Sequence, residues 1–538
     1  MSWDNQRRSK AERLQAAAAL CCGKTVATGD IVKLMEAVIR PGDKVVLEGD
    51  NQKQAAFLAE VDPKVIHDLT MIIPSISRSE HLDYFEKGIA STVDFAFAGT
   101  QAQRLSEMLA EGKVKIGNFN TYLEIYARLF VDLIPNVCLV AADKADREGN
   151  LFTGYSTEET PTLVEAAACK SGIVIAQVNE IVETLPRVDI PGGWVDFIVP
   201  ADKPYPMEPL FTRDPQFIKD ADILMGMMVI KGIYAKHGVQ SLNHGIGFNG
   251  AAIELLLPTY GEQLGLKGKI CRNWVLNPHP TLIPAIEAGW VESVCAFGGE
   301  VGMEKYTEER SDIFFTGADG TLRSNRTLAQ VAGLYAIDSF LGATLQMDYY
   351  GNSSTVTAGR LSGFGGAPNM GHNPGGRRHS SPAYHSLVEG KDTLHGGQKI
   401  VIQMLKSSGK KGNNFVPELD AIAIGRDAGM EAPPIMVYGE DVSHTVTEQG
   451  IAYCYMAEDA EERRLMLASI AQGTPFGEMV TKEQIEAFRK AGKVAYPEDL
   501  GIDRAMATKD LLACKTLEEI AECSGGLYVV PEKFRKKD

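Results

Sequence analysis

The chain has 538 residues, 44% hydrophobic and 23% charged, which leaves room for about two to four globular domains. Its formal charge of −16 argues against nucleic acid, whose binding rests on phosphate neutralisation, and against an anionic membrane surface. Nine cysteines, an odd count without repeated spacing, make a poor disulfide framework and read as reduced thiols in a cytoplasm. No His/Cys cluster has zinc-site spacing, so no metal is expected. The polar first 13 residues lack a signal peptide's apolar core. No apolar run reaches the roughly 18 residues of a membrane helix. Local basic clusters remain available to acidic ligands: Arg377 with Arg378, Lys406 with Lys410 and Lys411, and Lys533 to Lys537.

A polar arm and short helix open the chain over 1–28. Apolar residues Ile31, Leu34, Met35 and Val38 have helical spacing within 29–39. A Pro41-Gly42-Asp43 turn leads to a strand at 44–47, a loop at 49–54 and a helix at 55–60. The rhythm recurs with a strand at 139–142, a polar turn at 143–150, a helix at 160–170 and strands at 173–178 and 195–199. This pattern is that of an α/β layer architecture. A proline-rich crossing at 200–209 marks a boundary, giving two α/β domains over 1–210 and 211–538. A long helical region is expected over 214–237, and a second α/β half from Gln240. Further strands are expected at 422–424 and 435–437, then a mostly helical tail over 482–538.

Three stretches carry chemistry. In the first, a strand, a glycine turn and an apolar helix run over 242–258. Gly245, Gly247 and Gly250 let backbone N–H groups approach an anion at a helix N-terminus. Their spacing matches GxGxxG, but no acid stands where a dinucleotide's ribose would need one. A tight structural turn is the plainer alternative. The second is a glycine-rich loop over 359–378, with Ser362, Asn369, His372, Asn373, Arg377 and Arg378 as donors. It is either a mobile surface loop or one shaped around a polar chain or a carboxylate. The third is the segment 273–280, where Asn277 and His279 follow a strand, the place where open α/β sheets keep their ligands. Cys271 is expected mid-strand as a small buried hydrophobe.

These segments resemble the family I coenzyme A transferases. The motif LNHGIGFNGAAIEL (242–255) resembles the start of that family's second half. The segments 143–154, IAQVNE (175–180) and VDFIV (195–199) resemble its first half. ATLQMD (343–348) and SGFGG (362–366) are similar to its acyl-CoA-side loops, and VSHTVTEQGIA (442–452) to its C-terminal region. The resemblance implies two related α/β domains, each an open and mostly parallel sheet with helices, with the site between them. The family's transferases attack a thioester with a glutamate on the strand after the glycine turn. An ungapped count back from IEAG (286–289) puts Leu276 there, with Asn277 next, and 267–284 contains no Glu or Asp.

A subset of the family is similar in this respect: the carrier-transferase alpha subunits of malonate decarboxylase and citrate lyase. GNFNTYLE (117–124) and FGGAPNMGH (364–372) resemble the malonate decarboxylase members. This implies exchange of acetyl for malonyl on the phosphopantetheine arm, derived from dephospho-CoA, of an acyl carrier protein subunit. Decarboxylase beta and gamma subunits are then partners, with malonate and acetate as small ligands. No tightly bound cofactor is implied, and CoA could occupy the site. Asn277 and His279 are the catalytic candidates. Gly245, Gly247, Asn249, Gly365, Gly366 and Asn369 are candidates for the acyl thioester and its oxyanion. Arg360, His372 and Arg377 are candidates for the acid's carboxylate. The rival readings are citrate transfer, a non-catalytic carrier scaffold, and a transferase or hydrolase using Glu287, Glu292 or Glu300.

Overall fold

The computed structural model describes residues 3–48, 54–154, 159–204, 207–317, 322, 326–374, 381–388, 397–409 and 412–535. Arg377, Arg378, Lys410, Lys411, Lys536 and Lys537 lie outside them, as does most of the expected loop at 49–54. Two large sheets organise the rest, on either side of residues 201–240.

The first sheet has ten strands within residues 21–200. Its centre is strand Lys44–Leu47, with Leu69–Ser75, Ala90–Phe97 and Lys115–Phe119 added in turn on one side. Val137–Ala145 then lies on the other side, followed outward by Ile173–Ile181 and Phe197–Pro200. All these neighbours are parallel. Strands of this kind are covered on both faces and read as continuous apolar runs, as Val137 to Ala142 does. Separate apolar clusters cover the two faces. The N-terminal arm is longer than expected, a helix Trp3–Ala17 pinned by the buried Arg13–Asp43 pair.

The second sheet has eight strands. Ser241–His244 is followed by Asn273–Val275 and Ser293–Cys295 on one side, then by Ser339–Ala343 and Ile400–Met404 on the other. His444–Val446 continues the parallel set, and Ile451–Ala452 and Val494–Ala495 close the edge antiparallel. The expected helix over 214–237 begins later, at Asp220. Asp214 and Pro215 form a separate turn capped by the Asp214 carboxylate. The helix ends at Gly238 in the left-handed conformation, φ 65°.

The first sheet ends at Pro200 and the second begins at Ser241, but the packing crosses between them. Val356 and Leu361 join the core of the first half, as do Leu419 and Ala421. The loop around Gly363 adds backbone pairing to Phe97. The N–H groups of Phe364 and Gly365 both donate to Ala96 O, at 2.7 and 2.8 Å.

Four further expectations are corrected. Residues 422–424 lie in a helix, Asp420–Asp427, because a three-residue apolar run does not distinguish a strand from one buried helix face. Residues 435–437 form no strand; Val437 makes an isolated bridge to Ser353. Cys271 is buried as expected but precedes its strand, at φ 58°. The tail is less helical than expected. Short turns separate its helices Lys482–Lys490 and Leu517–Cys523, and it supplies the edge strand Val494–Ala495.

Candidate active site

In the second sheet the strand order reverses between Ser241–His244 and Ser339–Ala343, and such a switch point leaves a crevice at the carboxyl ends of the strands. The glycine turn sits there. Gly247 is the extended residue that opens helix Phe248–Leu256. A Cβ on Gly250 would stand 2.9 Å from Gly245 O, so the turn folds back on itself only with glycine.

A cavity of about 300 Å³ occupies the crevice. The second half lines it with His244, Gly247, Asn277, His279, Ala343 and the loop carrying Arg360 and Gly366. The first half adds Phe97 and Tyr122. The cavity therefore lies between the halves. Most of its exposed wall is apolar, its polar groups are few, and no Asp or Glu is among its lining residues.

A carboxylate close behind the wall is Glu254, fully buried on helix Phe248–Leu256. Its Oε1 accepts from His244 Nδ1 at 3.1 Å and from His279 Nδ1 at 3.0 Å, and Thr281 Oγ1 donates to Oε2 at 2.5 Å. Burial works to raise its pKa, yet the two imidazoles and the hydrogen bonds outweigh it and hold the group at about 2. Burial lowers the pKa of His244, with Glu254 opposing. Tyr234 OH lies 2.9 Å from His244 Nε2 and closes that side. His279 is different. Its Nδ1 is tied to the carboxylate, the ring stacks beside Phe211 at 6.3 Å, and Nε2 is left for the cavity that the residue lines. A carboxylate behind an imidazole fixes its tautomer and orientation.

Backbone donors divide sharply. Gly245 and Gly365 line the cavity, but their N–H groups donate to Leu341 O and Ala96 O, both at 2.8 Å. The expectation that they hold an oxyanion as N–H donors is corrected on that ground. The N–H groups of Gly247 and Gly366 meet no acceptor among the described residues, and both glycines line the cavity. A Cβ on Gly366 would come within 3.0 Å of the Gln330 amide.

Of the other expected residues, Asn277 and Arg360 line the cavity. Asn277 is buried, whereas Arg360 is exposed and its Nε donates to Ser362 Oγ at 3.0 Å. Asn249 faces an adjoining groove with Phe217, Lys219 and Lys406. Asn369 is in a short helix, Ala367–Met370, with its Oδ1 buried and unpartnered. His372 is exposed, 3.3 Å from Asp441, and outside the cavity.

Glu254 and Arg213 were not singled out in the sequence. A lone acid within the apolar run 251–257 was the available signal for Glu254, since a buried charge needs partners. Arg213 stands in a proline-flanked crossing and gave no signal. None of the three rival glutamates reaches the cavity. Glu287 accepts from Tyr306 OH at 2.6 Å, and Glu292 is paired to Arg272 at 2.6 Å. Glu300 binds the N–H and hydroxyl of Thr212 at 2.9 and 2.6 Å, and burial raises its pKa to about 7.

Two mainly parallel sheets with a cavity at the second switch point define an α/β fold. The alpha subunit of citrate lyase from Streptococcus mutans shares it, with a TM-score of 0.60 over 92% of this chain and 86% of that one, at 15% identity. More specifically, the chain belongs to the malonate decarboxylase alpha subunit family: the family model described as "Malonate decarboxylase, alpha subunit, transporter" matches residues 2–537. It is 50% identical to the acetyl-S-ACP:malonate ACP transferase of Malonomonas rubra, over 99% of this chain and 98% of that protein. It is also similar to a chain of a Pseudomonas malonate decarboxylase hetero-tetramer solved in complex with malonate, with a TM-score of 0.96, 56% identity and 99% of each chain covered.

Proposed function

We propose that this protein exchanges the acyl group of a carrier thioester, converting acetyl-carrier and malonate to malonyl-carrier and acetate. The near full-length likeness to the Malonomonas rubra transferase supports the reaction. The observation that carries the mechanism is the cavity wall, which holds arginine and imidazole but no carboxylate among its lining residues. A site of this kind attracts an acid and offers no glutamate to attack a thioester.

The acid itself is then the nucleophile. One malonate carboxylate oxygen attacks the acetyl carbonyl carbon, the C–S bond breaks, and the carrier thiolate leaves. The product is a mixed acetic–malonic anhydride. The thiolate next attacks the malonyl carbonyl carbon, the anhydride C–O bond breaks on that side, and acetate departs. No proton has to be moved in either step. Orientation and oxyanion stabilisation carry the rate, and well-aligned reactants can supply about 7–11 kcal/mol. The unpaired N–H groups of Gly247 and Gly366 suit the oxyanion, where one donor is worth about 2.7–4 kcal/mol. Asn277 and His279, held at the strand end and by Glu254, orient the acyl groups.

The arm that delivers the thioester is of the phosphopantetheine type, on an acyl carrier subunit, with decarboxylase beta and gamma subunits as further partners. The Pseudomonas hetero-tetramer supports a multi-subunit setting. Nine free cysteines fit the reducing cytoplasm. The test offers malonate, citrate and acetate as acceptors to the purified protein with an acetylated carrier. Malonyl-carrier should form fastest among products of a new acid, and absence of malonyl transfer would overturn the reading.

A further inference from the structure

Arg213 lies in the crossing between the two sheets, in the loop that also carries Phe211. Its guanidinium is fixed by backbone carbonyls. Nε donates to Ile246 O at 2.6 Å, and Nη1 donates to Leu210 O at 2.9 Å and Thr212 O at 2.8 Å. Nη2 has no acceptor among the described residues, and the residue lines the cavity. No carboxylate among the described residues forms an ion pair with it. Glu300 acts on Arg213 through space, but its oxygens are engaged with Phe211 N and with Thr212 N and Oγ1 rather than with the guanidinium. A largely buried guanidinium cannot shed its proton and is costly to leave unpaired. Its geometry is set before any ligand arrives, which favours a planar, charged acceptor.

Within the acyl exchange proposed above, we infer that Arg213 is the specificity residue that receives the carboxylate of malonate that does not react. The two ends of the acid make different demands. The attacking carboxylate loses its negative charge as it becomes an anhydride, so a fixed cation there would resist the reaction. The distal carboxylate keeps its charge from binding to product, so a fixed cation holds it equally well throughout. Arg360 is a weaker discriminator, because it is exposed and water screens its charge. Acetate has no second carboxylate for Arg213 and leaves the site without that hold.

The test compares wild type, Arg213→Gln and Arg213→Lys in carrier acyl exchange. Malonate and isotope-labelled acetate serve as alternative acceptors for an acetylated carrier. The ratio of kcat/KM for malonate to that for acetate should fall about 10- to 100-fold in Arg213→Gln, the range for a charged hydrogen bond, with the change concentrated in KM for malonate. Arg213→Lys should recover part of the ratio. Acetate exchange reports that each variant is folded. An unchanged ratio, with both acceptors falling together, would overturn the inference and leave Arg213 as a pin for its loop. Wild type that exchanges acetate but not malonate would instead overturn the reading on which the inference rests.

Discussion

Each sheet reverses its strand order once, and the chain uses the two crevices in opposite ways. In the first half the reversal falls between Lys44–Leu47 and Val137–Ala145. Glu48 follows the first of these strands and turns inward. Its Oε2 accepts from Ala141 N at 2.7 Å, and Thr160 Oγ1 donates to Oε1. Gln54 adds donors to Val140 O and Ile175 O at 2.9 and 3.0 Å. Glu48 and Gln54 thus bond the backbone and a neighbouring hydroxyl at that switch point. In the second half the residues after the strand are glycines, and the nearest acid, Glu254, is withdrawn behind two imidazoles. Among the described residues, the same architecture places backbone-bonded polar side chains at one switch point and a cavity at the other. What differs is whether the acid after the strand bonds the backbone or orients a histidine that faces open space.

The largest expected effect follows from Glu254. Removing it in Glu254→Ala leaves two buried imidazoles and Thr281 without their acceptor, at a cost of about 3–5 kcal/mol in urea unfolding. A loss below about 1 kcal/mol would show that the cluster is not a stabilising unit. Its pH dependence has a definite sign. The folded-state pKa is depressed from 4.5 to about 2, so the stabilisation is complete above pH 4.5 and drains away as pH falls towards 2. Glu254→Gln should flatten the stability profile in that window.

Next is Gly363→Ala, at the junction of the halves. Gly363 has φ +71°, and a Cβ there would stand 2.4 Å from Ala96 O. The loop carrying Gly366 should lift from the first half and cost about 100-fold in exchange rate, as a displacement of about 1 Å commonly does. Full activity in this variant would break the claim that both halves build the chamber.

Glu48→Gln sharpens the contrast from the other side. It should cost about 1–3 kcal/mol of stability, since a buried charged hydrogen-bond pattern is disturbed, while the exchange rate stays within about threefold. A selective loss of exchange would mean that the first crevice takes part in the chemistry. A pH effect of opposite sign to that of Glu254 belongs to Glu300. Burial lifts its folded pKa to about 7, above the usual 4.5, so the folded state binds the proton more tightly and stability declines as pH rises from 4.5 to 7. Glu300→Gln should remove that decline, and an unaltered profile would assign it to other groups.

The sequence made the central pieces legible because they are local. A glycine turn between a strand and an apolar helix announces itself, and Asn277 and His279 follow their strand by fixed spacing. The absence of any acid over 267–284 could be read directly and agrees with a wall that carries none. What was hidden depends on contacts distant in the chain. Glu254 meets His279 across 25 residues, and Arg213 meets Ile246 across 33. Which glycine N–H groups are free was equally hidden. Gly365 looks like a free donor until the Ala96 carbonyl, from the other half, accepts its hydrogen bond. The misread strand at 422–424 has a similar cause, since three apolar residues fit either periodicity.

The decisive measurement is one turnover with the protein in excess over acetyl-carrier and with malonate labelled with ¹⁸O in both carboxylates. Direct attack makes the bridging anhydride oxygen a malonate oxygen, so the first acetate released carries one ¹⁸O and the protein carries none. An unlabelled first acetate, with ¹⁸O recovered on a glutamate of the protein, would contradict a chamber in which the acid does the attacking.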